Sequence, residues 1–81
     1  MILIINSSGA DLEFVLDDKY KRVTTEKQSV ALPVEAERFV TECGAKWCDI
    51  SAIGIVVGPG SFTGIRIGIA YTKGLAMGLN I

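Results

Sequence analysis

Gly58-Pro59-Gly60-Ser61-Phe62-Thr63-Gly64-Ile65-Arg66-Ile67-Gly68 decides the fold of this chain. An uncharged apolar run, Ile53 to Val57, precedes it, and a long stretch without breakers other than glycine follows it. That order predicts a buried strand, a glycine-rich turn and the start of a helix. Such a turn aims backbone N–H groups outward at a helix N-terminus, where an anion can sit. Gly58, Gly60 and Ser61 are the candidate anion or phosphate contacts. A plainer reading stands beside it: the glycines make a tight turn and let the helix lie close to the sheet. The stretch is neither a P-loop, since no Gly-Lys-Ser/Thr follows, nor a dinucleotide fingerprint.

The helix predicted from Ser61 or Phe62 to about Gly78 has an unusual wheel. Ile65, Ile69, Thr72, Ala76 and Leu79 share one face, and Ile67, Tyr71, Gly74 and Gly78 lie roughly opposite. Gly64, Gly68 and Leu75 bridge the two, and Arg66 and Lys73 make a narrow charged stripe. A helix on a monomer's surface normally carries a broad polar face. Two apolar faces imply packing on the sheet and on something else. Gly64 and Gly68 would let a partner backbone approach.

Upstream, Ile2 to Ile5 is an apolar run suited to a strand buried on both faces. Asn6-Ser7-Ser8-Gly9 reads as a turn. Leu12, Phe14 and Leu16 alternate with Glu13 and Val15, Asp17 to Lys19 turns, and Tyr20 to Thr25 forms a third, edge strand. Leu32, Ala36, Phe39, Val40 and Cys43 then fall on one helical face. Pro33 suits the first turn of that helix, and Gly44 is its expected C′ residue. The predicted order over residues 1–81 is a single β-β-β-α-β-α unit, with Leu79 to Ile81 opening a fifth strand that is cut short.

Composition narrows the chemistry. An 81-residue chain supports one domain at most, and 49% hydrophobic residues exceed what so small a core hides, which favours self-association. The formal net charge is −1, with no basic stripe to grip nucleic acid directly. There is no histidine, so a Ser-His-Asp or Cys-His triad within the chain is excluded. Cys43 and Cys48 alone do not make a metal site, and no cofactor is expected. The apolar N-terminus is too short for a signal peptide or membrane span, and Arg66, Lys73 and the glycines argue against a transmembrane C-terminal helix. A cytoplasmic protein with reduced thiols is expected.

Gly58 to Gly68, continued by Ile69-Ala70-Tyr71-Thr72-Lys73-Gly74-Leu75-Ala76, closely resembles the hallmark of the TsaB (YeaZ) family: GPGSFTG, an aliphatic residue, Arg, an aliphatic residue, Gly, and a helix carrying Lys/Gln-Gly-Leu-Ala. The Asp49-Ile50-Ser51-Ala52 lead-in and the order of elements agree as well. The resemblance implies the first lobe of an RNase H-like, actin-like ATPase fold. It further implies a non-catalytic scaffold that docks a TsaD-like synthase, with a TsaE-like ATPase joining through the complex, during threonylcarbamoyladenosine synthesis on tRNA. Leu32, Ala36, Phe39 and Val40 of the first helix, with Gly64, Ile65, Gly68, Ile69, Thr72 and Ala76 of the second, are the expected partner contacts. A homodimer is expected when the chain is alone, and tRNA is reached only through partners.

The sequence departs from the family at Asn6-Ser7-Ser8, where Asp-Thr-Ser is frequent, and near Gln28, where a histidine is common. A second lobe is absent from the 81 residues, so no complete interlobe nucleotide site is expected. Two alternatives stay open: half of a split nucleotide-binding actin-like protein, and a degenerate self-associating fragment.

Overall fold

The computed structural model describes all 81 residues. Three strands, β1 (Ile2–Asn6), β2 (Asp11–Leu16) and β3 (Lys19–Thr24), form an antiparallel meander. Helix α1 (Gln28–Glu42) and a single 3-10 turn (Trp47–Asp49) lead to β4 (Ala52–Ile55), which runs parallel to β1. Helix α2 (Phe62–Leu79) closes the chain. The sheet order is β3-β2-β1-β4.

The strand alternation read from the sequence is what the sheet uses. Leu12, Phe14 and Leu16 of β2 point to one face and are buried with Leu3 and Ile5 of β1. Leu32, Ala36, Phe39 and Val40 of α1 cover them, and the rings of Phe14 and Phe39 stack with centroids 5.8 Å apart. Such an aromatic pair adds about 0.5–1.5 kcal/mol to the area it buries. Ile53 and Ile55 of β4 sit in register with Leu3 and Ile5, and Ile67, Tyr71 and Leu79 of α2 pack against the same cluster. Both helices therefore lie on one face of the sheet.

This arrangement corrects the expectation for β1. Only its inner face is buried; Ile2 and Ile4 are exposed on the face that carries no helix. An apolar run alone cannot distinguish a strand covered on both faces from one covered on a single face.

The helix limits also differ from the sequence reading. Helix α1 starts at Gln28, so Pro33 stands inside it rather than in its first turn. Its N-cap, Lys27, makes no side-chain capping bond, which left no start signal to read. Gly44 does occupy the C′ position, at φ +74°, and the Ala45 N–H donates to the Val40 carbonyl. At the end of α2, Asn80 adopts the same left-handed conformation, with the Ile81 N–H donating to Ala76 and the Asn80 N–H to Met77. Leu79 to Ile81 is thus a helix end and its cap, not the opening of a strand.

Candidate functional site

The glycine-rich turn works inward. The Ser61 side chain caps α2 by accepting the Gly64 N–H at 3.2 Å. Its own N–H donates to the Ser8 carbonyl, and the buried Ser7 hydroxyl donates to the Gly64 carbonyl at 2.7 Å. A Cβ at Gly60 would collide with the backbone of Ser8, one at Gly64 with the Ser7 carbonyl, and one at Gly68 with the Ser7 hydroxyl and Ile55. Glycine at these positions lets the start of α2 rest directly on the turn after β1. The sheet meets the ridge Gly64–Gly68–Thr72, which lies between the two apolar flanks of the wheel.

The expected contact residues sort accordingly. Leu32, Ala36, Phe39 and Val40 are core residues, because the apolar face of α1 is the face that meets β1 and β2; they are not a free surface. Gly64, Gly68 and Thr72 are also buried, against the chain's own turn and sheet, so the two glycines serve internal packing rather than a partner's approach. Ile65 and Ala76 are half-buried. Only Ile69, 37% exposed, is open among them.

Other apolar side chains are more accessible and were missed: Val30 (66% exposed) and Val34 (52%) on α1, and Phe62 (73%) and Met77 (79%) on α2. The signal was available as apolar residues lying off the core stripe of each helix. The Arg66 guanidinium lies 5.6 Å from the Phe62 ring centroid, a cation–π contact. Lys73 adds a second positive charge to the outer side of α2, and no acidic residue follows Asp49.

The candidate anion residues are separated. Ser61 lines an open cavity of about 620 Å³, together with the turn Ser8–Ala10, the start of α1 (Lys27, Gln28, Ser29), and Thr63 and Gly64. Gly58 and Gly60 are not among the lining residues; Gly60 is pressed on Ser8 and Gly58 lies beside Ile65. The N-termini of both helices open to this cavity, and the charges that line it, Glu26 and Lys27, are of opposite sign. Many of its polar groups are already engaged. Gln28 Nε2 donates to the Gly9 and Ala10 carbonyls, at 2.9 and 3.3 Å. The Asn6 carboxamide accepts from both the backbone N–H and the hydroxyl of Ser8.

Titration is shifted at three side chains. The Tyr20 phenol is held up chiefly by donating to the Glu13 carboxylate, on the open face of the sheet. Burial raises the Cys43 thiol and the Tyr71 phenol, with the Glu37 charge adding to the latter. None of these groups pairs with a second one as acid and base, and no group of three or more metal-ligating side chains exists. No helix is long and apolar enough to cross a membrane. Chemically, the arrangement offers apolar surfaces and a capped turn.

The model of the family described as "TsaD: tRNA N6-adenosine threonylcarbamoyltransferase" matches residues 22–81. The tRNA threonylcarbamoyladenosine biosynthesis protein TsaB of Escherichia coli is 48% identical over 43 residues, 53% of this chain and 19% of that protein. TsaB of Bacillus subtilis is 33% identical over 86 aligned positions, covering 99% of this chain and 38% of that protein. Two solved structures cover 98% of this chain and 39% of their own: YeaZ from Pseudomonas aeruginosa, with a TM-score of 0.79, and a protein described by its similarity to peptidase YeaZ from the same organism, with 0.80. Both are 25% identical to it. The chain thus spans less than two-fifths of the length of these relatives. The four-stranded mixed sheet with both helices on one face corresponds to part of their actin-like, RNase H-like fold. The chain belongs to the family that the TsaD model describes and, within it, stands with the TsaB (YeaZ) proteins.

Proposed function

We propose that this chain is a non-catalytic binding subunit in the synthesis of threonylcarbamoyladenosine on tRNA, and that it docks a TsaD-like synthase through the outward sides of α1 and α2. One observation carries this reading: two mutually packed helices leave Val30, Val34, Phe62, Ile69 and Met77 uncovered. Large apolar side chains at such density on paired helices suit a helix-to-helix interface. A TsaE-like ATPase joins through the synthase. Alone, the chain associates with a second copy through the same side chains, so homodimer and heterodimer compete. The acidic charge balance leaves tRNA to be held by partners. The cytoplasm is the corresponding compartment.

The test is co-sedimentation of the purified chain with a TsaD-type synthase from the same source. The wild type is expected to form a complex, and Phe62→Glu combined with Val34→Glu to weaken it by at least about a hundredfold, the loss of two buried anchors. Both side chains are exposed, so the variant keeps its fold. Undiminished binding by that variant overturns the docking surface.

A further inference from the structure

The outward side of α2 interleaves two kinds of residue. A helix turns by about 100° per residue, which places Phe62, Arg66, Ile69, Lys73 and Met77 within about a quarter of its circumference. All five are exposed. They lie away from the buried ridge Gly64–Gly68–Thr72. The two cations thus stand among apolar side chains, on the surface that a partner docking on α2 must cover.

Neither cation is compensated within the chain. Lys21, Arg22 and Arg38 have carboxylate partners, whereas Arg66 and Lys73 have none. All nine acidic residues lie at or before Asp49, so none is near in sequence. Arg66 is held instead over the Phe62 ring, which keeps its guanidinium on the apolar row. Covering a charge without giving it a counter-charge is strongly unfavourable, because its hydration is lost and not replaced. A surface that closes on Phe62, Ile69 and Met77 must therefore bring acids of its own. Arg66 and Lys73 are two helical turns apart, about 10 Å along the axis. Carboxylates at a similar separation on one face of a partner helix match them.

We propose that the segment of the synthase that docks on α2 is an amphipathic helix whose apolar face carries two carboxylates about seven residues apart, one for Arg66 and one for Lys73. This rests on the docking reading above and adds the chemistry of the partner's surface. A second copy of the chain fits less well. Helix α2 against its own copy sets like charges face to face, and α1 offers a single unpaired acid, Glu37, to two cations. An anionic membrane fits less well again, since two cations are too few to hold a chain on it.

The experiment uses the purified chain and a TsaD-type synthase from the same source. Arg66→Glu combined with Lys73→Glu should weaken the complex by at least about a hundredfold. Arg66→Gln combined with Lys73→Gln, which removes attraction without adding repulsion, should weaken it by about tenfold. All these side chains are exposed, so the variants keep their fold. The wild-type complex should also loosen as salt rises. A carbodiimide, which joins an amine to a carboxylate in direct contact, should link Lys73 to an Asp or Glu of a synthase helix. Lys73→Arg should keep the complex and lose that link. If the wild type forms no complex, the docking reading fails and this inference with it. If the complex is broken by Phe62→Glu with Val34→Glu but withstands the double charge reversal, docking stands and the acidic helix is overturned. Self-association weakened by the reversal as strongly as the synthase complex would make a second copy the acidic occupant and overturn the proposal. So would binding to phosphatidylglycerol vesicles that the reversal abolishes while the synthase complex survives it.

Discussion

Helices α1 and α2 lie side by side on the same sheet and attach to it by opposite means. Helix α1 inserts side chains: Leu32, Ala36, Phe39 and Val40 fill the space above β1 and β2. Helix α2 packs Ile67, Tyr71 and Leu79 at the side of that cluster, but over the turn after β1 it omits side chains: Gly64 rests on the Ser7 carbonyl, and Gly68 on the Ser7 hydroxyl and Ile55. The first attachment depends on volume present, the second on volume absent. Removing atoms should therefore damage α1, while adding atoms should damage α2.

The largest expected effect is on the filled side. Phe39→Ala takes a ring from the core and from its stack on Phe14, and should cost about 3–5 kcal/mol. Urea unfolding at equilibrium measures it. A loss below about 1 kcal/mol would mean that α1 is not held by its side chains.

Next comes the emptied side. Gly64→Ala adds a single methyl group, which in an exposed helix would be favourable by about 1 kcal/mol. Here the new carbon meets the Ser7 carbonyl, a backbone atom that cannot rotate away. The expected outcome is a net destabilisation of about 1–3 kcal/mol, with hydrogen exchange rising in α2 before α1. A stabilised variant would show that α2 does not rest on the turn.

The smallest effect sharpens the contrast within α2. Thr72 sits on the same inward ridge, and its buried hydroxyl finds no hydrogen-bond partner. Thr72→Val keeps the shape and removes the stranded polar atom. The change should lie between neutral and about 1 kcal/mol stabilising, visible as a raised urea midpoint. A clear loss would indicate that the hydroxyl has a partner in solution.

The same contrast explains how far the sequence could be read. Phe14, Leu32 and Phe39 announce themselves by periodicity, so the meander, the buried face of α1 and the element order were legible. Gly64 and Gly68 carry no hydrophobic signal, and a wheel built on apolar side chains placed the contact on the flanks instead of the ridge between them. Core and interface also look alike in one dimension, which is why Leu32, Ala36, Phe39 and Val40 entered the expected partner surface while Val30 and Val34 did not. The end of α2 was misread for a related reason. Leu79-Asn80-Ile81 is apolar enough to suggest a strand, and only the left-handed conformation of Asn80 reveals a cap.

The contact between α2 and the Ser7–Ser8 turn has a consequence for how this sequence can drift. Around Phe39, a change in one side chain can be matched by a complementary change in a neighbour, so several combinations fill the same space. Beneath Gly60 and Gly64 the opposing surface is main chain, whose size no codon alters. No second substitution can compensate there, and the two positions are evolutionary dead ends in a way the core is not. The motif that most readily betrays this lineage is thus one that marks a close approach of two backbones, and it would persist in a descendant that had lost every binding partner.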